Sequence, residues 1–241
     1  MMRLKLKQFR ICFMLLLAVI VPDFCSAQYV INALPRWMTS IHLDYMWPTA
    51  PVDRFLDDAQ WGYHFEFQYR LQYNKPFLAG AYWSEAGLSY YQFEYTQQDS
   101  AGYVNISEKA NTRRLETGLT AGFYPEINWL LQPYLQGRVG IAIFQSSSII
   151  RDDDAGELIE RISEMSATVP SYGLDLGIHI VPNLWFLRGD IRFGFVANPS
   201  VSFMSLDESN LGTTGYPIDY FKTHTSSGHW WKISVGLSYL F

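Results

Sequence analysis

Cysteine is nearly absent: the 241 residues hold two, Cys12 and Cys25, both at the extreme N-terminal end. Charge is sparse as well, at 17% Asp, Glu, Lys and Arg, with a net formal charge of −5. Without an excess of Lys and Arg, a nucleic-acid binder is disfavoured. With 49% apolar residues and so little net charge, the chain is not of disordered composition. Beyond residue 27 no stretch of 18 uninterrupted apolar residues occurs, so no membrane-spanning helix is expected. Aromatic residues are abundant instead: sixteen Tyr, sixteen Phe and eight Trp make up 17% of the chain.

Residues 1–27 read as a secretory signal peptide. Arg3, Lys5, Lys7 and Arg10 form a basic start. Ile11 to Val21 is an apolar run, and Cys25-Ser26-Ala27 places small residues before a cut at Gln28. The apolar run is too short to span a bilayer. Pro22-Asp23-Phe24 lacks the small and aliphatic residues of a lipoprotein site, so no lipid is expected on Cys25. Removing the leader takes away four basic residues and Asp23, leaving 214 residues with 14 basic and 22 acidic ones, a formal charge of −8. Both cysteines leave with it, so no disulfide or thiol chemistry is expected in the exported chain.

The remaining sequence alternates with a period of two. Between residues 61 and 73 the odd positions are Trp61, Tyr63, Phe65, Phe67, Tyr69, Leu71 and Tyr73, and the even ones are Gly62, His64, Glu66, Gln68, Arg70 and Gln72. Six further segments repeat the pattern: Trp37–Trp47, Leu115–Phe123, Leu135–Ile143, Tyr172–Ile180, Leu187–Phe195 and Trp231–Phe241. An eighth strand, around 78–95, is less regular. There Leu78, Tyr82, Leu88 and Tyr90 are expected on one face, opposite Glu85 and Gly87, with a bulge further on. Short turns at Asn74-Lys75-Pro76, Pro125–Asn128 and Val181-Pro182-Asn183 alternate with longer polar segments near 48–60, 97–112, 145–168 and 197–227. Short turns at one end and long loops at the other are the layout of an outer-membrane barrel.

A soluble barrel such as a lipocalin also alternates, with its apolar face inward. Three features favour apolar-out. An eight-stranded barrel has an interior just wide enough for side chains, and the polar face holds the small residues: Gly62, Gly87, Gly118, Gly122, Gly140, Gly173, Gly177, Gly194 and Gly236. The rings sort towards strand ends. Trp37, Tyr73, Trp129, Trp185 and Phe241 lie at the short-turn end, and Trp47, Trp61, Tyr90, Tyr172 and Trp231 at the other, as two interfacial girdles would. The alternation also runs to Tyr239-Leu240-Phe241. This ending resembles the closing strand of bacterial outer-membrane barrels, whose terminal aromatic is read by the barrel assembly machinery.

Across residues 36–241 the chain resembles, in architecture, the small eight-stranded outer-membrane family that includes the OmpA membrane domain and OmpX. The resemblance implies an all-β fold: a closed antiparallel eight-stranded transmembrane β-barrel in a Gram-negative outer membrane, surrounded by lipid and lipopolysaccharide. Residues 28–35 are expected as a short periplasmic lead-in. No second domain is expected after the barrel, so peptidoglycan binding is not carried over.

The inward face would then hold charges of both signs: Asp44, Glu66, Arg70, Glu85, Arg114, Glu116, Arg138, Asp175, Arg188, Asp190, Arg192 and Lys232. Such groups are costly to bury unless paired, so a salt-bridge and hydrogen-bond network filling the lumen is expected. The alternative is a narrow, charge-lined channel, or a subunit of an envelope or secretion assembly. Five histidines, His42, His64, His179, His224 and His229, remain. Outer-membrane lipid A deacylases, palmitoyltransferases and omptin-like proteases use His with Ser, Asp or Glu near the outer rim. His64 and His229 read as near that rim, with Asp57 and Asp58 close in sequence, but no family motif accompanies them, and a hydrolase is the lesser reading. Asp152-Asp153-Asp154 with Glu157, Glu160 and Glu164 lacks the glycine turn of a calcium loop and reads as a solvated acidic segment. Residues 156–164 fit a short helix or a strand extension equally. Asn105-Ile106-Ser107 matches a glycosylation sequon without meaning in a bacterial barrel. No cofactor is expected. The favoured role is non-enzymatic, with a filled lumen and acidic loops that meet partners or the environment.

Overall fold

The computed structural model describes residues 35–49, 60–72, 75–99, 102–125, 130–152, 158–181, 186–206 and 221–241. The leader, the lead-in up to residue 34, Asp57, Asp58, Tyr73, Trp129, Asp153, Asp154, Glu157 and Trp185 lie outside the described residues. Eight strands follow one another: β1 (Trp37–Pro48), β2 (Gln60–Arg70), β3 (Phe77–Asp99), β4 (Gly102–Phe123), β5 (Leu131–Asp152), β6 (Leu158–Ile180), β7 (Leu187–Leu206) and β8 (Phe221–Leu240). Each pairs antiparallel with its neighbours, and β1 pairs with β8, so the sheet closes. The closing seam continues to the last residue, where Trp37 and Phe241 exchange backbone hydrogen bonds of 2.9 and 3.0 Å.

The two-residue period sets which side is which. In β1, Ile41, Leu43 and Tyr45 are exposed while Met38, Ser40, His42, Asp44 and Met46 are buried. In β2, Trp61, Tyr63, Phe65 and Phe67 face out, and His64, Glu66, Gln68 and Arg70 face in. The apolar face is therefore the outside of a closed barrel, the reverse of a water-soluble one.

Strand β3 corrects the sequence reading. Leu78, Tyr82, Ser84, Ala86 and Leu88 are the buried set, and Phe77, Trp83, Glu85 and Gly87 face out. Apolarity misleads here because Leu78 and Leu88 sit at the two ends of the lumen, where it is closed by apolar side chains. A register shift between Gly87 and Ser89, the expected bulge, then leaves Tyr90 on the outer face.

The strands also outrun the expected loops. A tilted strand crosses a bilayer in about 9–11 residues, yet β3 to β6 have 22 or 23 and β7 and β8 have 20, against 12 and 11 for β1 and β2. Much of 97–112, 145–168 and 197–227 is thus strand, including 158–164, the segment compatible with helix or strand. Above the membrane level the wall divides. β3 to β6 continue as one sheet, and β7 and β8 continue as a ribbon paired to Leu206–Phe221. The pairing of β6 with β7 ends at Tyr172–Ala197.

Candidate functional site in the barrel lumen

Inward-facing positions on seven different strands supply the charged side chains of the lumen, and the closed barrel leaves them one another and the neighbouring polar groups as partners. Arg192 (β7) is the hub. Its guanidinium donates to both carboxylate oxygens of Glu66 (β2), at 2.9 and 3.3 Å, and to Asp190 Oδ2 at 3.1 Å. It also lies 4.0 Å from Asp175. A bidentate guanidinium–carboxylate pair is the strongest arrangement available to such groups. Glu66 takes further bonds from Gln136 Nε2 (2.7 Å) and from His64 Nε2 (2.7 Å). Asp190 is held by Tyr134 Oη (2.7 Å) and by His42 Nε2 (2.8 Å), with His179 Nε2 at 3.5 Å.

Two satellite groups flank the hub. Asp175 pairs with Arg138, whose Nε is 2.9 Å away, and with the Lys232 ammonium at 3.5 Å, which also faces Asp44 at 3.7 Å. Glu116 pairs with Arg114 (2.6 Å) and accepts hydroxyl bonds from Tyr82 (2.6 Å) and Ser171 (2.5 Å). Nearer the short-turn end, Arg70 donates to the carbonyls of Pro35 (3.1 Å) and Lys75 (2.8 Å), and Arg188 to Gln132 Oε1 (3.2 Å). All eleven of these charged side chains are buried, five acids against six bases, so the interior charge is close to balanced.

Glu85 is the exception among the expected lumen residues. It points away from the lumen, takes a short hydrogen bond from Tyr63 Oη and lies 3.8 Å from Arg113. Its position follows from the reversed faces of β3. Gly87 shares that outer face, with open space where a Cβ would stand.

The sequence reading missed two apolar plugs. At the long-loop end Met46, Ala86, Leu88, Ala142, Phe144, Val201 and Trp230 pack together, with Val169 against them. At the short-turn end Met38, Leu78, Tyr124, Tyr134 and Leu240 do the same. The two tyrosines stack at 4.7 Å and turn their hydroxyls to the network, Tyr124 to Gln136 and Tyr134 to Asp190. Arg114 lies over the Phe144 and Trp230 rings, at 6.0 and 5.6 Å, and joins the upper plug to the charges. The signal was present in the sequence: Met38, Met46, Phe144, Trp230 and Leu240 are large apolar residues in the polar parity class at or beside the ends of the alternating segments.

The candidate histidines do not converge at the rim. His64 is buried at mid-lumen, opposite His42 in the β1–β2 register and stacked on Tyr82 at 5.4 Å. His229 is partly buried and stacks on Phe195 at 5.7 Å. Among the described residues no group of three or more His, Cys, Asp or Glu is arranged to hold a metal.

A charged, hydrogen-bonded interior inside a closed wall whose outer face is Trp, Tyr, Phe, Leu and Ile requires lipid as its solvent. The chain folds as a membrane-spanning β-barrel. Solved structures it is similar to include Neisserial surface protein A (9% identity, TM-score 0.47, covering 85% of this chain and 97% of that one). A major outer membrane protein from Thermus thermophilus is similar at 11% identity and TM-score 0.46, covering 85% and 99%. The outer membrane protease OmpT from Escherichia coli is similar at 8% identity and TM-score 0.35, covering 90% and 99%. No family model and no curated protein sequence matches the chain.

Proposed function

We propose that this barrel is a non-conducting, non-enzymatic protein of a Gram-negative outer membrane, whose lumen network is structural and whose extended strands form its working surface. The observation that carries this reading is the filled lumen: a paired charge network lies between an upper and a lower apolar plug. An eight-stranded barrel has no width to spare beyond such side chains. The separation of His64 from His229 supports the non-enzymatic part. The β3–β6 sheet and the β7–β8 ribbon, raised above the membrane level, offer contact area for partners or the environment. Purified barrel in planar bilayers is expected to show no resolvable unitary conductance, and Phe144→Ala is expected to stay closed, because the charge network still fills the lumen beneath the upper plug. Stable conductance steps from the native chain would overturn this reading.

Export and assembly belong to the same proposal. Residues 1–27 act as the leader, so the N-terminus of protein recovered from membranes should be Gln28. Phe241, whose ring is exposed beside Tyr239 and Phe67 at the lipid face, is the proposed contact for the assembly machinery. Phe241→Ala is expected to slow insertion in cells while leaving refolding into detergent micelles unchanged. Equal losses in both settings would mark the ring as a packing residue.

A further inference from the structure

Between the two aromatic girdles the outward positions of the wall carry one charged side chain among the described residues, Glu85 on β3. A charge facing lipid is costly, and residues of this kind mark functional sites. Glu85 stands near the top of the wall. It is the register partner of Tyr63, whose hydroxyl donates to it, and Trp61 of the outer girdle is the next outward position above Tyr63 on β2. The opposing charge is Arg113 on β4, which pairs with Gly87, the next outward position above Glu85. Arg113 Nη1 lies 3.8 Å from Glu85 Oε1, an ion pair longer than a hydrogen bond. The guanidinium makes no hydrogen bond to a described residue, and 43% of the Arg113 side chain is exposed, against 23% for Glu85.

The surface beside these two charges is bare. At Gly87 nothing lies within 4 Å of the place a Cβ would take. The register shift between Gly87 and Ser89 produces this, because the extra residue, Leu88, turns inward to the upper plug. Trp61 and Tyr90, both exposed, stand on either side of the bare stretch, one on β2 and one further along β3. The result is an open patch of outer wall, floored by backbone and edged by one loosely held guanidinium, at the level of the girdle that marks the membrane–water boundary.

We propose that this patch binds the phosphate group of an outer-leaflet lipid, with Arg113 as its ligand and Glu85 as the residue that positions Arg113. The site rests on the outer-membrane setting proposed above. Glu85 lies lower on the wall than Arg113 and draws the guanidinium down across Gly87, to the level where lipid headgroups begin. A guanidinium has five donors in a planar fork. The edge turned to Glu85 leaves others for phosphate oxygens, which the fork matches in geometry. Tyr63 holds Glu85 from the other side. Below the patch Tyr63, Phe65 and Trp83 are exposed on the wall, where the acyl chains of the same lipid would lie.

The test titrates the purified barrel in detergent micelles with phosphorylated lipid A or with its enzymatically dephosphorylated form, and reads the bound lipid by native mass spectrometry. The gel shift on heating checks that each variant is folded. The native chain should hold the phosphorylated lipid about tenfold more tightly, the worth of one charge-assisted contact. Arg113→Gln should remove that difference, and Arg113→Lys should keep part of it. Gly87→Phe, which covers the bare surface, should weaken binding of the phosphorylated lipid. Glu85→Gln separates positioning from mere neutralisation. A fall in binding supports the role given to Glu85, whereas a rise would show that its carboxylate competes with the phosphate and would overturn that role. Equal binding of the two lipids by the native chain, or a difference that survives Arg113→Gln, would overturn the site and leave the membrane setting of the barrel untouched. Displacement of the lipid by an equal concentration of inorganic phosphate would overturn it too, by marking a site for free anions.

Discussion

Glu66→Ala is expected to cost about 3–5 kcal/mol of barrel stability, the range for removing one partner of a buried ion pair. Four side chains bond to this carboxylate: Arg192 through two bonds, Gln136, His64 and, at 3.5 Å, Gln68. The guanidinium would keep Asp190 at 3.1 Å, but its best-aligned partner would be gone in a lumen that holds nothing to replace it. Urea unfolding of the vesicle-reconstituted barrel, read by tryptophan fluorescence and by the gel shift on heating, measures the loss. Glu66→Gln keeps the volume and part of the hydrogen bonding, and should fall between native and alanine. Glu66→Met combined with Arg192→Met should recover much of what either change alone loses, because a matched apolar pair removes both desolvation costs together. A loss for Glu66→Ala within about 0.5 kcal/mol, the range of an ordinary surface substitution, would show that the network fills space without holding the fold.

Such charges were legible before any coordinates because a period of two admits only two faces. Once the aromatic face was assigned to lipid, Asp44, Glu66, Arg138, Asp175 and Lys232 had one place to go, and the structure puts them there. The partners were not legible. Pairing across a lumen depends on strand order, stagger and side-chain reach, so nothing in the sequence singles out Glu66 as the mate of Arg192, 126 positions away. The same rule failed on β3 for a stated reason. It treats every large apolar residue as lipid-facing, whereas Leu78 and Leu88 seal the ends of the lumen and send Glu85 outward to Tyr63 and Arg113. Strand length was hidden too. Polar segments such as 102–112 and 158–168 continue the sheet beyond the girdle, where the alternation of apolar and polar residues fades from the sequence.

The inward glycines give the other large effect. At Gly194 an added Cβ would collide with Asp175 Oδ1 and approach Lys232 Cε to 2.9 Å. At Gly177 it would overlap the ring of Tyr134, whose hydroxyl holds Asp190. At Gly236 it would meet the His42 ring and the Ile41 carbonyl. These glycines are the room into which the opposing long side chains fold, as the narrow interior of eight strands demands. Gly194→Ala should therefore cost about 1–3 kcal/mol from overpacking, and more if Asp175 is pushed off Arg138 and Lys232, since the displaced charges stay buried. Gly177→Val should be worse, as Tyr134 belongs to both the lower plug and the hub. Gly87→Ala is the control. It changes the same residue type in the same sheet but on the outer face, with nothing within 4 Å of the new methyl, and should stay within about 0.5 kcal/mol of the native chain. Refolding yield and urea midpoints of the three variants rank them. Equal losses at Gly87 and Gly194 would mean that backbone freedom matters at these sites, and would remove the case that glycine is there to make room for charge.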